Sequence, residues 1–276
     1  MAVQIVTDST SDLPDDLAKK LGITVIPLTV FFGEQAFKDG VDLTKEEFFE
    51  RLATGNVLPR TTQPTVGEFV EIYKPLVEAG DEIVSVHVSG KLSGTINSAQ
   101  SAALEFPDAK IEIVDSGLAS LALALVAKAA AEAANGGASQ ADVVKVAKDT
   151  AGHIDLYFVL DTLEFLQKGG RIGKAQAVLG GLLSIKPVLK VVDGEIHPHE
   201  KVRTRAKALQ RMRDIAKAGS PHAEIAFIHV ATPEETKLFE EYLAPLATEP
   251  LISGRIGSVV GTYTGPGVVG FALRRA

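Results

Sequence analysis

The chain opens on a short apolar run, Val3 to Thr7, that gives way to the polar cluster Asp8-Ser9-Thr10-Ser11-Asp12. A run of that length reads as a strand, and clustered Asp, Ser and Thr close it and cap the helix after it. A second apolar run, Thr24 to Phe32, is followed by Thr44 and Glu47. Their spacing predicts a capping box, in which each side chain takes a backbone N–H left free at a helix start, for a helix through Leu52. Thr65 and Glu68 repeat the device and open a helix to about Val77. Glu82 to Val88 then reads as a buried strand, Ser89 to Gly94 as a loop and Thr95 to Leu104 as a helix, with strand and helix alternating again from Lys110 to Ala134. Alternation of this kind predicts a parallel sheet covered by helices, with ligands expected where strands end and loops gather.

Asn135, Gly136 and Gly137 punctuate the chain, a helix follows to about Ala151, and Tyr157 to Leu160 begins a new apolar run. Beyond it, Val188 to Val192 and Glu195 to His197 flank Asp193-Gly194, a dipeptide suited to the positive backbone angles of a tight hairpin turn. Thr204 to Ala218 reads as a basic helix and Ile225 to Val230 as a strand. Thr232, Pro233 and Glu235 supply a cap, a first-turn proline and a third capping box for a helix to about Leu246. The tail, Ile252 to Leu273, is glycine-rich and β-prone. The pattern therefore predicts an α/β protein in two domains: residues 1-154 as a Rossmann-like parallel-sheet domain, and residues 155-276 as an α+β domain.

A length of 276 residues supports two domains, since one domain typically takes roughly 100 to 200. With 46% hydrophobic and 23% charged residues, the chain has an ordinary globular composition, so disorder and fibrous repeats are set aside. The absence of cysteine excludes disulfides, thiolate metal sites and thiol catalysis. A net charge of -7 weighs against an electrostatic grip on nucleic acid. Met1 to Asp8 lacks the charged head and long apolar run of a signal peptide. Leu118 to Ala127 is the longest apolar stretch, about half of the roughly 20 residues needed to span a bilayer, and reads as a buried helix. A cytoplasmic location is expected.

Candidate chemistry gathers on three polar loops, at residues 60–65, 89–95 and 261–267. They carry the hydroxyls of Thr61, Thr62, Ser93, Thr95, Tyr263 and Thr264, with no obvious base or nucleophile partner. Donors without a base suit binding better than bond cleavage. Ser93, with the backbone N–H groups around Gly94 at a helix start, can hold an anion; the competing reading is that Ser93 and Thr65 only cap helices. The rival functional class is a phosphatase or phosphotransferase using the strand-end carboxylates Asp8 and Asp115, although a second carboxylate two positions after Asp8 is lacking. Gly169-Gly170-Arg171-Ile172-Gly173 does not have dinucleotide-binding spacing, and no P-loop occurs. His197 and His199 have no cysteine nearby to complete a zinc pattern, so they, like His87, His153, His222 and His229, read as structural. No metal and no cofactor are expected.

Seven ordered motifs resemble those of the bacterial DegV family, which includes the fatty-acid-binding subunit of fatty acid kinase. They are Thr7-Asp8-Ser9-Thr10-Ser11-Asp12, Thr61-Thr62-Gln63-Pro64, Lys91-Leu92-Ser93-Gly94-Thr95, Lys168-Gly169-Gly170-Arg171-Ile172, Ile185-Lys186-Pro187, Lys201-Val202-Arg203-Thr204 and Gly265-Pro266-Gly267. The resemblance covers essentially the whole chain. It implies a non-catalytic carrier with a lipid site between two domains, the second built on a mainly antiparallel sheet. The carboxylate of a long-chain fatty acid would be held by Thr61 and Ser93, with Thr62, Gly94, Thr95 and Tyr263 beside them. Thr62 stands where the family usually has serine, and Tyr263 where it usually has histidine, so a proton-dependent role of that histidine is not carried over.

Candidate walls for the lipid tail are Phe31, Phe32, Leu118, Leu121, Leu125, Phe158, Leu160, Leu163, Phe165, Leu166, Leu182, Leu183 and Ile185. The resemblance further implies that the lipid is presented to a separate ATP-dependent fatty acid kinase, with Arg171 and Arg203 engaging that partner. The local cluster Lys201, Arg203, Arg205, Lys207, Arg211 and Arg213 suits an acidic partner or an anionic membrane surface.

Overall fold

The computed structural model describes residues 2–55, 57–178, 186–230 and 232–275. In chain order, the first half runs β1 (Val3–Asp8), α1 (Asp15–Leu21), β2 (Ile23–Ile26), β3 (Thr29–Phe32), β4 (Gln35–Lys38), α2 (Lys45–Thr54), β5 (Arg60–Thr62), α3 (Val66–Glu78), β6 (Glu82–His87), α4 (Thr95–Ala103), β7 (Ile111–Asp115), α5 (Leu121–Asn135) and α6 (Gln140–Gly152). The second half continues with β8 (Ile154–Val159), α7 (Glu164–Lys168), β9 (Val188–Val192), β10 (Glu195–Glu200), α8 (Arg205–Ala218), β11 (Glu224–His229), α9 (Pro233–Leu243), β12 (Ile252–Arg255), α10 (Ser258–Thr264) and β13 (Val269–Arg274).

The helix starts follow their sequence signals. Thr44 with Glu47 and Thr65 with Glu68 each form the full reciprocal box at α2 and α3. At α9 only half of it forms: Thr232 accepts from the Glu235 N–H, while the Glu235 carboxylate turns to Arg205 at 3.0 Å. An ion pair with a partly buried guanidinium has displaced the return bond.

The first sheet is parallel throughout, in the order β2-β1-β6-β7. Strand order reverses between β1 and β6, so the loops leaving those two strands diverge and open a crevice at their C-terminal ends. The second sheet, β10-β9-β8-β13-β11-β12, is antiparallel except for β11 with β12. The protein is thus a mixed α/β structure with one parallel and one mainly antiparallel sheet, as expected. Asp193 (φ 49°) and Gly194 (φ 79°) make the hairpin turn between β9 and β10.

Two regions differ from the sequence expectation. The single run Thr24 to Phe32 splits after Ile26: β2 joins the parallel sheet, and β3 joins a separate antiparallel sheet of order β4-β3-β5. Arg60-Thr61-Thr62, expected as loop, is the third strand of that sheet, with Thr61 opposite Val30. The tail is not β throughout, because Ser258–Thr264 is helical. Gly261 permits this: a Cβ there would lie 2.7 Å from the Phe48 ring and 2.9 Å from that of Phe49. Glycine is thus used for close helix contact on α2.

Helix α5 sits between the two large sheets, touching β1 and β6 on one side and β8, β11 and β13 on the other. That position explains its all-round apolar face, with residues Leu121 to Ala127 all buried. Its one cation in the buried stretch, Lys128, pairs with buried Glu224 of β11 at 2.7 Å, and Glu224 pairs also with Arg274 of β13 at 2.6 Å. The largest apolar core is continuous across both halves, from Ile5 and Leu125 to Phe158 and Ile228. Among the described residues no helix is long and apolar enough to cross a membrane.

Candidate functional site

The crevice at the β1/β6 reversal continues inward as a cavity of about 360 Å³. Its wall draws on both large sheets: Val88 and Ala119 from the loops of the first, Leu156, Phe158, Val191, Ile196, Ile228 and Gly270 from the second, and Val259 and Val260 from α10. Thr61, Thr62, Gln63, Ser93, Arg171 and Tyr263 make up most of the polar part of the lining, with Thr10, Ser120 and Thr264.

The polar residues are already engaged with one another. The Thr61 Oγ1 lies 2.5 Å from the Tyr263 hydroxyl, and Ser93 Oγ lies 2.9 Å from Thr95 Oγ1. Arg171 donates to the carbonyls of Leu92 (3.1 Å) and Gly169 (2.7 Å), and its guanidinium stacks 4.8 Å from the centre of the Tyr263 ring. Gln63 donates to Ser98 Oγ at 3.2 Å and lies against Gly94, where any Cβ would collide with its amide. These contacts fasten the three polar segments together. Thr264, also in the lining, spends its hydroxyl on the Val260 carbonyl at 3.1 Å, as Thr262 does on Ser258 at 2.9 Å.

Two buried carboxylates anchor α10, which carries Tyr263. Asp12 accepts the Gly257 N–H at 2.7 Å and the Ser120 hydroxyl, and Asp39 accepts the N–H and hydroxyl of Ser258 at 3.1 and 2.7 Å. Burial pushes the Asp12 carboxyl up to about 6, against the pull of Lys45 and of the Ser120 hydrogen bond and with a further push from Asp39. Burial likewise raises Asp39, against its hydrogen bonds from Ser258 and Ser9 and against Lys45. Ser120 lines the cavity, so Asp12 ties one wall of it to the start of α10.

The expected site residues distribute as follows. Thr61, Thr62, Ser93 and Tyr263 meet at the cavity, while Gly94 and Thr95 stand directly behind them. Of the expected wall, Phe158 and Leu166 line the cavity. Leu118, Leu121, Leu125 and Leu160 are buried in the adjoining core, with Phe32 and Leu163 packed against it. Phe31 lies under the Arg60 guanidinium, 4.0 Å from ring centre to cation, and Phe165 lies against Gly265. Leu182, Leu183 and Ile185 fall outside the described residues. Sequence reasoning missed Gln63, Leu28, Val88, Leu92, Val191, Ile196 and Val259, whose apolar members carry no signal distinguishing a cavity wall from ordinary core.

Two residues of the basic cluster, Arg205 and Arg211, are ion-paired within the chain. Arg205 pairs with Asp161 and Glu235 (3.0 Å each), Arg211 with Glu200 and Asp214 (2.8 Å each), and Arg213 covers the rings of Phe239 and Tyr242. Lys201, Arg203 and Lys207 stay exposed. The enzymatic alternative is not favoured either. Asp8 is fully buried and accepts from Thr10, from His87 Nδ1 at 2.9 Å and from the Val88 N–H at 3.0 Å, so it has no access to a phosphate ester. Asp115 is occupied by the N–H groups of Gly90 and Gly117, at 3.1 and 2.9 Å.

These features define a class: an α/β protein with two large sheets and an apolar cavity, partly lined by hydroxyls, at the topological switch point of the parallel one. The chain belongs to the DegV family, whose model, described as "Uncharacterised protein, DegV family", matches residues 2–276. It is similar to a DegV domain-containing protein of Streptomyces coelicolor, 39% identical over 277 residues and 98% of each chain. Protein DegV of Bacillus subtilis is 36% identical over 98% of both. Among solved structures, a DegV family protein from Thermus thermophilus described under "Fatty Acid Binding" aligns over 100% of both chains with a TM-score of 0.91 and 35% identity. DegV of Bacillus subtilis, described as a fatty acid binding protein, aligns over 100% of both with a TM-score of 0.89 and 35% identity. A stearic acid-binding protein from Eubacterium ventriosum aligns over 99% of this chain and 98% of its own with a TM-score of 0.89 and 27% identity.

Proposed function

We propose that the chain is a cytoplasmic carrier for one long-chain fatty acid, holding the carboxylate at Thr61 and Ser93 and the hydrocarbon in the cavity, at an interface between an N-terminal domain ending near residue 154 and a C-terminal one. The observation that carries this reading is the pairing of an apolar cavity wall with a hydroxyl-lined mouth. Each buried methylene contributes about 0.8 kcal/mol, so a dozen or more supply on the order of 10 kcal/mol before ordering costs. The hydroxyls add about 1 kcal/mol each and orient the acid rather than supply its affinity. The fatty-acid-binding descriptions of the structural relatives support the same reading.

In this reading the carrier does no chemistry itself and presents the carboxylate to a separate ATP-dependent kinase, which converts it to an acyl phosphate. Arg203, exposed and without an acidic partner among the described residues, and Arg171 beside the mouth are the side chains assigned to that contact. Lipid extraction and mass spectrometry of the purified protein should recover a fatty acid, and the delipidated protein should bind palmitate and oleate in calorimetry. No binding of either acid would end the proposal. With a kinase of this class and ATP, Arg203→Ala should slow acyl phosphate formation while leaving the fatty acid Kd unchanged; an unchanged rate would remove Arg203 from the contact.

A further inference from the structure

Two hydroxyl residues of the cavity wall stand apart from those at its mouth. Thr10 comes from the 3-10 turn Ser9–Ser11 after β1, and Ser120 immediately precedes α5; both line the cavity and both are buried. They are joined through the backbone, the Ser120 N–H donating to the Thr10 carbonyl at 2.8 Å. Each commits its hydroxyl proton to a buried carboxylate behind the wall: Thr10 donates to Asp8 and Ser120 to Asp12, neither of which lines the cavity. Ser120 holds its place at φ 55° and ψ -149°, a backbone conformation that residues with a side chain rarely adopt. Glycine would relieve that strain and lose the hydroxyl.

The mouth is different in kind. In Thr61 with Tyr263 and Ser93 with Thr95, either oxygen can be the donor, so protons there can turn to a carboxylate. Thr10 and Ser120 have no proton to give. Their oxygens keep lone pairs, which repel a carboxylate and accept from a hydroxyl. The two groups also lie at different depths. Helix α10 flanks the cavity from Val259 to Thr264. Asp12, and through it Ser120, is fastened at Gly257 where the helix begins, whereas Thr61 bonds Tyr263 near its end. At a rise of about 1.5 Å per residue, the helix separates those points by roughly 9 Å. A lipid anchored at Thr61 therefore passes Thr10 and Ser120 partway along its chain, where bare hydrocarbon offers their oxygens no partner. We propose that Thr10 and Ser120 form a hydroxyl-accepting subsite inside the cavity, and that the protein takes fatty acids hydroxylated in mid-chain in preference to other positional isomers. The proposal rests on the carrier reading and names a substrate class within it.

Calorimetry on the delipidated protein, with stearate and a series of stearates carrying one hydroxyl at successive positions, tests this. The isomers share the cost of dehydrating a hydroxyl, so they serve as one another's controls. A mid-chain isomer should bind about fivefold tighter than isomers hydroxylated beside the carboxyl or at the far end, the scale of one neutral hydrogen bond. The ketone at the favoured position, which can only accept, should lose that advantage. Thr10→Val and Ser120→Ala should each shrink the preference, read as a ratio of Kd values within one variant, and Thr10→Ser should keep it. The positional series and the ketone need only the parent protein, so the test stands even where a variant fails to fold. A flat series, or a preference that survives both Thr10→Val and Ser120→Ala, overturns the subsite and, with stearate still bound, leaves the carrier reading standing. A ketone bound as tightly as the alcohol overturns the acceptor assignment. Failure of stearate and of every hydroxystearate in the parent protein would sink the carrier reading and the subsite with it.

Discussion

The clearest residue-level demand is the one placed on Asp12, a carboxylate with no exposed surface to spare and two donors to satisfy. Its folded carboxyl is raised from the ordinary 3.8 to about 6, so the folded state binds a proton more tightly than the unfolded chain does. Stability from this group is therefore present at low pH and is lost as pH rises from about 4 through about 6, a change of about 3 kcal/mol. Asp12→Asn keeps the shape and should gain in Tm relative to the parent as pH climbs through that window; parallel Tm curves would refute it. At the mouth, Thr61→Val and Ser93→Ala should each lower fatty acid affinity by about tenfold, the scale of one hydrogen bond to a charged group. An unchanged Kd in calorimetry would remove that hydroxyl from the site. That Thr61 and Ser93 are polar candidates was legible because a hydroxyl is visible in a sequence, and both line the cavity; their assignment to a carboxylate came from the family motifs. Gln63 was not legible, since its importance comes from where Gly94 lets it lie.

At the scale of elements, legibility followed local signal strength. The capping boxes at Thr44 and Thr65 fixed two helix starts to the residue, because both halves of the interaction are written within four positions. Strand β5 was opaque: three polar residues, Arg60 to Thr62, carry no alternation, and they are a strand only because β3 offers them an edge. Helix α10 was hidden by Gly261 at its centre and by the glycines on either side; Gly261 weighs against helix in isolation and here allows contact with α2. Gly261→Ala should accordingly cost about 1–3 kcal/mol by overpacking against Phe48 and Phe49. It should also weaken fatty acid binding, because Tyr263 shifts with the helix. A normal melting temperature with a normal Kd would show that the rings yield without moving α10.

For the whole molecule, the determining feature is the sharing of α5 between two sheets. The alanine-rich sequence showed a buried helix and gave no sign that its two sides face different halves of the chain. Nor did it show a cavity, which is space left by residues such as Val191, Ile196 and Val259 that pattern identically to packed core. Because Lys128 of α5 is ion-paired to Glu224 and the apolar core runs across both halves, calorimetry should show one unfolding transition, not two. Lys128→Met should lower the stability of that single transition by about 2 kcal/mol, less than the usual cost of stripping a buried charge of its partner because Arg274 remains. Two resolved peaks would mean that the halves unfold separately.

In the proposed carrier, the bond between Thr61 and Tyr263 would set the thermodynamic character of capture. An arriving acid trades an existing contact for a new one, so the head contributes little net enthalpy and the response is governed by dehydration of the chain. Lengthening the acid two carbons at a time should steepen the negative heat-capacity change while the head-group increment stays constant, until the far wall is reached and affinity stops rising. Discrimination by such a protein acts as a ruler laid along the hydrocarbon, and only weakly as a lock on the acid.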